Sequence, residues 1–427
     1  MVQKLKQLYA DSLFRNSFYL MLNTATAAGF GFFFWLVCAR IYSTTDVGLA
    51  TALISAVGLT SVFSMLGFNN VLVRFLATSE RKNEQISTAL ILTAVASFVA
   101  AGVFLLCAFA THNPTVQTGN VNILIAIFTI YVLANTLNSI IESVLIAHRT
   151  TSYIFVKNII FSALKLTLVF FIVSIGFIGI VSAVTLSMII TVAIGFILLM
   201  AKFHYHPMFT IDKETIDETK HFAIGNYFGT LFGVLPSTVL ILIVVSRLGA
   251  QDAAFFYIPS MVVTLLNIIP SSISQSLFAE VSHNEEGFMR YFKKALQHLF
   301  SFLIPAVLVI WLIGGYVLGF FGPSYAAAGT APLDILALAS LIGAANYLGD
   351  TLLNIKKRPG MYLFMNALNA IAVVVPAYFL APYGLAAIAW GALFGQVLTA
   401  VVYLAMNWGL VTGSEKVHLK HDASFLQ

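Results

Sequence analysis

The sequence predicts an all-α polytopic membrane protein: twelve transmembrane helices in two related six-helix lobes, with the N and C termini both cytoplasmic. Composition, the placement of the basic residues and an internal repeat predict it. Apolar residues make up 59% of the 427-residue chain and charged ones 9%, with a mean hydropathy of +0.93, whereas soluble domains carry about 25% charged residues. The 22 Lys and Arg fall almost entirely in alternate gaps between long apolar runs, the charge asymmetry of a chain threaded with its basic loops inside. Segments of the first half recur in the second, which predicts six helices followed by six related ones.

A span needs about 20 mainly apolar residues, and the runs are taken in order. The first, 16–39, follows a basic stretch with Lys4, Lys6 and Arg15; it is longer than a signal-peptide core and lacks a small-x-small cleavage site, so it is a membrane helix. The second, 47–73, precedes Arg81 and Lys82. The third, 88–110, runs into the uncharged THNPTVQTGN, and the fourth, 121–146, returns to Arg149. The fifth, 155–175, ends in SIGFIG, and the sixth, 178–201, in Lys202. The seventh, 222–246, and eighth, 254–279, flank Arg247 and lead to Arg290, Lys293 and Lys294. The ninth, 296–320, and tenth, 332–354, enclose FGPSYAAAGTAP and lead to Lys356, Lys357 and Arg358. The eleventh, 361–381, and twelfth, 384–408, enclose APYG and end before Lys416 and Lys420. Only Arg40, Arg247 and the intramembrane Lys165 break the alternation.

An internal repeat of about 207 residues is carried by ARIYSTTDVG at 39–48, which resembles SRLGAQDAAF at 246–255, and Arg149, Tyr153 and Phe155 recur as Arg358, Tyr362 and Phe364 at an offset of 209. An even-numbered unit repeats in the same orientation, so the halves are expected to be related by an axis along the membrane normal with a substrate path between them. The expected domains are an N-lobe at 1–202, a cytoplasmic linker at 203–220 (FHYHPMFTIDKETIDETK), a C-lobe at 221–410 and a cytoplasmic tail at 411–427. The intramembrane prolines Pro236, Pro259, Pro270, Pro305 and Pro376 all lie in the second half, which predicts more helix bending there.

Twelve helices in a six-plus-six repeat, the run Gly67-Phe68-Asn69-Asn70 followed by Val73-Arg74-Phe75, and the Arg149 loop between helices four and five resemble the polysaccharide-transporter (Wzx-type) branch of the multidrug/oligosaccharidyl-lipid/polysaccharide (MOP) superfamily. The resemblance runs from about residue 10 to 410. It implies a MATE-like fold in the inner, cytoplasmic membrane. It also implies a flippase that moves a polyprenyl-phosphate- or polyprenyl-pyrophosphate-linked oligosaccharide to the outer leaflet by alternating access, for cell-surface polysaccharide biosynthesis. Its partners would be that lipid-linked oligosaccharide, membrane lipids and the polymerase or glycosyltransferase machinery.

Such cargo carries an anionic phosphate across about 30 Å of hydrocarbon, so cations and donors are sought inside the spans. Lys165, about 12 Å beyond Lys157 along one helix, and Arg74, which shares a helix face with Asn70, are the phosphate candidates. The competing readings are a snorkelling Lys165 or one paired with Glu142, and an Arg74 that is a cytoplasmic anchor. Asn135, Asn138, Ser139 and Glu142 form a polar stripe on helix four. Thr264, Asn267, Ser271 and Ser274 do so on helix eight, Asn346, Asp350 and Asn354 on helix ten, and Asn16 and Asn23 on helix one. These could meet glycan hydroxyls or hydrogen-bond between helices. Glu142 and Asp350 are either coupling sites for a proton or Na⁺ or locks paired with Arg149, Lys165 or Lys356. Arg40 with Asp46, and Arg247 with Asp252, form a quasi-symmetric outer set, either a gate or local pairs in which the acids cap helices two and eight.

No Walker motif, HExxH, CxxC or Gly-x-Ser-x-Gly is present, so no enzyme, metal or cofactor is expected. A membrane glycosyltransferase or polysaccharide ligase would need charged outer loops that this chain lacks. An ion-coupled multidrug or cation antiporter of the same superfamily is the nearer alternative, but helix one carries no acid. The net charge of +5 belongs to one-sided loops and predicts no nucleic-acid partner. Cys38 and Cys107 lie in apolar runs and predict no disulfide framework. With no nucleotide site, the driving force is an ion gradient, consumption of the product outside, or the membrane potential, worth about 2.3 kcal/mol per charge per 100 mV.

Overall fold

The structure, a computed structural model, describes residues 12–111, 120–283, 288–356 and 358–406. Lys4, Lys6, Lys357, Lys416, Lys420, most of THNPTVQTGN and the tail at 411–427 lie outside them. The described residues are almost wholly helical: α1 (Ser12–Ile41), α2 (Thr44–Ser64), α3 (Phe68–Phe75), α4 (Lys82–Ala110), α5 (Val121–Ala147), α6 (Thr151–Phe171) and α7 (Phe177–Phe203), then α8 (Lys213–Arg247), α9 (Ala250–His283), α10 (Phe288–Phe321), α11 (Pro323–Ile355), α12 (Pro359–Leu380) and α13 (Leu385–Met406). All but the short α3 are long and apolar enough to cross a bilayer, giving twelve spans.

Two expectations about the spans change. The second span is broken: Leu66 and Gly67 turn left-handed (φ 51° and 82°), so 47–73 is α2 followed by the short amphipathic α3. A Cβ at Gly67 would collide with the Ala223 carbonyl, so a glycine both makes the turn and admits the α8 backbone. The stretch FGPSYAAAGTAP is helical from Pro323. Proline at the first turn satisfies a helix start, the alanines propagate it, and Pro332 sits inside α11. Pro236, Pro259, Pro270, Pro305 and Pro376 also lie within continuous helices.

The stretch 203–220 is only partly a connection, because Asp212 starts α8. Its carboxylate accepts from the Glu214 and Thr215 amides (both 3.3 Å) and the Thr215 hydroxyl (2.6 Å), while its own amide donates to Thr88 of α4 (2.9 Å). Arg81 pairs with Asp212 (3.3 Å), Glu214 and Glu218 (3.7 Å). The Thr215 hydroxyl, with help from Arg81 and against the opposing effect of burial, holds the Asp212 carboxyl below its usual range. A depressed folded-state value contributes stability above the unfolded carboxyl range of about 3.9, and that contribution is lost as pH falls through the folded value. Asp212→Ala is therefore expected to cost about 1 kcal/mol at neutral pH. Thermal unfolding in detergent should show the gap between variant and native protein narrowing as the pH falls below the unfolded carboxyl range of about 3.9.

The chain divides into two compact units, 1–234 with 244–254, and 235–243 with 255–427. In the first, α5 packs against α2, α3, α4 and α7, and α6 joins α1 to α7. In the second, α11 and α13 pack together, with α10 against α11 and α12 against α13. The cores are built from small residues at crossings: the Gly391 and Gly395 backbones lie on Ala377 and Ala372, the close approach that drives association where lipid provides no hydrophobic force. The units repeat at an offset of 208. Helices α5 and α11 end at Ala147 and Ile355, and α6 and α12 begin at Thr151 and Pro359. Matching 3-10 turns follow at 173–175 and 381–383, each closed by a positive-φ glycine, Gly176 and Gly384. Burial agrees, pairing Lys157 with Met365, Ser162 with Ala370 and Val169 with Ala377. The offset of 209 drawn from Arg149, Tyr153 and Phe155 is one residue out of this register.

Candidate functional site

Along α6, Thr151, Asn158 and Lys165 recur every seven residues, two helical turns, so they share a face. That face lies on α1. Asn16 accepts from the Thr151 amide (3.2 Å) and hydroxyl (2.9 Å), and Asn23 accepts from the Asn158 amide (3.1 Å). Lys165 comes next, its ammonium over the rings of Phe34 (5.1 Å) and Phe161 (5.0 Å). Tyr42 extends the seam, donating to the Val169 carbonyl (2.8 Å). Lys165 is half-buried, and among the described residues no ion pair includes it. It stands about 21 Å along α6 from Thr151 and about 9 Å from Phe171. A desolvated cation over aromatic faces gains about 2 kcal/mol, so the two rings stabilise the ammonium form.

Glu142 pairs with neither Lys165 nor Arg149. Its carboxylate meets Lys157 (3.0 Å), whose side chain is fully buried. Lys157 also donates to the Asn138 carbonyl oxygen, and the Asn138 amide donates back to Glu142 (3.2 Å). The stripe on α5 is thus closed on itself at Asn138 and Glu142, while Asn135 remains half-buried one turn away. The quasi-equivalent acid, Asp350, is not held by Lys356. Its Oδ1 accepts from the Tyr403 hydroxyl and the Asn366 amide (3.2 Å).

Other candidates are engaged in joining helices. Asn346 donates to Gln396 (2.7 Å) and leaves its buried Oδ1 without a partner. Asn267 accepts from Ser340 (2.7 Å). Asn70 is half-buried on α3. Arg74, one turn on, is exposed and lays its guanidinium over Phe222 (4.7 Å) and Phe75 (5.4 Å).

Arg40 and Arg247 end α1 and α8, and Asp46 and Asp252 lie in the first turns of α2 and α9. Asp46 does not cap α2. Ser43 does, accepting from the Asp46 amide (3.0 Å), and the Asp46 carboxylate accepts from the Ser43 hydroxyl (2.5 Å) and the Phe177 amide (2.9 Å), tying α2 to the start of α7. Gly48 brings α2 against the start of α9, where a Cβ would collide with the Ala250 carbonyl.

Lys157, Asn158, Asn366 and Tyr403 were not among the sequence candidates. The 208 register could have found two of them, because it sets Asn138, Glu142 and Asn158 against Asn346, Asp350 and Asn366; Lys157 and Tyr403 fall against Met365 and Gly195 and leave no such signal. Among the described residues no group of three or more His, Cys, Asp or Glu could hold a metal.

Residues 13–279 match the model of a family described as polysaccharide biosynthesis protein. A putative O-antigen transporter of Shigella flexneri is 26% identical over 154 residues, 35% of this chain; the match spans 37% of that relative's length. The fold is similar to an inward-facing multidrug resistance MATE family transporter of the MOP superfamily (TM-score 0.73, 14% identity, 92% of this chain and 96% of that one). It is also similar to the lipid II flippase MurJ in an inward closed conformation (TM-score 0.74, 14% identity, 90% and 86%). At these identities the likeness is one of fold.

Proposed function

This chain belongs to the polysaccharide biosynthesis protein family, and from that premise we propose that it is a flippase of the MOP superfamily. Its cargo is a polyprenyl-phosphate- or polyprenyl-pyrophosphate-linked oligosaccharide, moved from the cytoplasmic to the outer leaflet of the cell membrane by alternating access. The observation that carries this reading is Lys165, a half-buried ammonium deep in a span, cradled by Phe34 and Phe161 and included in no ion pair among the described residues. A cation retained at such depth is costly unless an anion uses it, and a lipid-linked phosphate is an anion that must make that crossing. The aromatic cradle also favours a diffuse anion over a small hydrated one, since water is excluded from the rings.

Arg74, exposed on the amphipathic α3, would meet the phosphate first, with two parallel N–H donors. Lys165, far along α6, would hold it later. The α1 and α6 seam at Asn23 and Asn158 lies between Thr151 and Lys165 and supplies amide groups for glycan hydroxyls. With the basic loops inside, both termini are cytoplasmic. An inside-negative potential favours outward movement of such an anion. A polymerase or glycosyltransferase complex would supply and consume the cargo on either side.

Transbilayer movement of a short-chain polyprenyl-pyrophosphate oligosaccharide in proteoliposomes tests this. Lys165→Ala is expected to reduce the rate at least about tenfold, the loss of about 1.4 kcal/mol of anion stabilisation. Arg74→Ala is expected to weaken loading and so raise the half-saturating cargo concentration. Both variants should elute as folded protein. Failure to move any pyrophosphate lipid, together with gradient-driven efflux of an organic cation, would replace this reading with a multidrug antiporter.

A further inference from the structure

The two units carry the same polar constellation with one decisive difference. At the offset of 208, Asn138, Glu142 and Asn158 of the first unit correspond to Asn346, Asp350 and Asn366 of the second. Lys157, the buried cation that neutralises Glu142, corresponds to Met365, which is fully buried in an apolar cluster with Leu353 and Tyr403. The second unit therefore has the acid without the cation.

We propose that Asp350 is a proton-exchange site, and that Lys157 is a built-in counter-charge that removes the same capacity from Glu142. An ionised carboxylate taken out of water without a counter-charge is costly, and proton uptake removes the charge. Both donors to Asp350, the Tyr403 hydroxyl and the Asn366 amide, converge on Oδ1. Among the described residues Oδ2 has no hydrogen-bond partner, so the proton has a free oxygen to occupy. The titratable groups that face Asp350 are tyrosines: Tyr347 on α11, Tyr362 on α12 and Tyr403 on α13. From α10, Phe292, Leu296, Leu299 and Phe300 present an apolar wall to Gly349 and Tyr403. No ion pair among the described residues includes Asp350. A sodium ion is a poorer fit, because a hard cation needs several oxygen ligands and the two polar neighbours that bond Asp350 offer it hydrogens.

Glu142 has the opposite surroundings. Lys157 and the Asn138 amide both bond its Oε1, and the charge is already balanced. Proton uptake there would leave the buried ammonium unpaired, exchanging one uncompensated charge for another. The first unit thus holds a fixed pair where the second holds an exchangeable one.

The inference rests on the transport reading only for its consequence, that proton binding at Asp350 is coupled to cargo movement; the binding itself is tested without cargo. Infrared difference spectra of the purified protein in lipid, recorded across a pH titration, should show a protonated-carboxyl band that Asp350→Asn abolishes and Glu142→Gln preserves. Met365→Lys, which copies the first unit's cation, should also abolish it. If that variant does not fold, the loss of the band in Asp350→Asn, with Glu142 intact, still decides. In proteoliposomes, Asp350→Asn should lose all acceleration by a pH gradient while Glu142→Gln keeps it. A band that persists in Asp350→Asn, that vanishes in Glu142→Gln, or that responds to sodium at fixed pH would overturn the proposal. A titrating Asp350 in a protein that moves no pyrophosphate lipid would leave the proton site standing and remove the flippase reading.

Discussion

Lys157→Met is expected to destabilise the protein by about 3–5 kcal/mol, because it leaves the Glu142 carboxylate and the Asn138 amide oxygen without the cation that both contact. The Lys157 side chain is fully buried, so its place is closed to water, whereas that of Glu142 is 26% exposed, which puts the expected loss at the lower end of that range. Breaking one side of a buried pair is far more damaging than removing the pair. The triple variant Lys157→Met, Glu142→Leu, Asn138→Leu should therefore recover most of the loss, since it leaves no polar group stranded. Thermal unfolding in detergent, followed by helix content, reads both. A single variant as stable as the native protein would mean that water reaches Glu142 and the pair is not a closed one.

Gly349→Ile is expected to disrupt packing in the second unit at a cost of about 1–3 kcal/mol or more. The Gly349 backbone lies flat on the Tyr403 ring, and any Cβ there would overlap it. In the first unit the same crossing is built with the sizes exchanged: Ile141 of α5 reaches over Gly195 of α7, whose Cβ would meet it at 2.9 Å. The pair Ile141 and Gly195 corresponds to Gly349 and Tyr403 at the offset of 208. Gly349→Ile combined with Tyr403→Gly transplants the first unit's arrangement, and the cycle should show a favourable coupling of about 2 kcal/mol. Recovery will be incomplete, because the Tyr403 hydroxyl to Asp350 is lost as well, about 1 kcal/mol. Additive effects would mean that the two units do not share this crossing.

The twelve spans, the repeat and the family resemblance were legible in the sequence, and so were the intramembrane Lys165, Glu142 and Asp350. What was not legible is who partners whom. The sequence offers Arg149, Lys165 or Lys356 as partners for Glu142 and Asp350, and Glu142 meets Lys157 instead because of how α5 and α6 are rotated and staggered. The offset illustrates the difficulty: matching Arg149, Tyr153 and Phe155 to Arg358, Tyr362 and Phe364 gives 209, which would set Lys157 against Asn366. A shift of one residue turns a side chain by about 100° around the helix, enough to replace Met365 with an amide and to hide the asymmetry between the acids. The break at Leu66 and Gly67 was hidden for another reason. An apolar run reads as continuous even where the approach of the α8 backbone at Ala223 stops the helix.

By itself, the sequence determined how many times the chain can cross lipid and which residues are too polar to face it, because the cost of placing a group in hydrocarbon is local and adds along the chain. Only the tertiary structure decided that Glu142 is neutralised by Lys157 while Asp350 leans on Tyr403 and Asn366, and that Lys165 rests on aromatic rings. Those pairings depend on axial stagger and rotation between helices, set by where glycines such as Gly195 and Gly349 let neighbours approach, and interhelical geometry is a property of the packed whole.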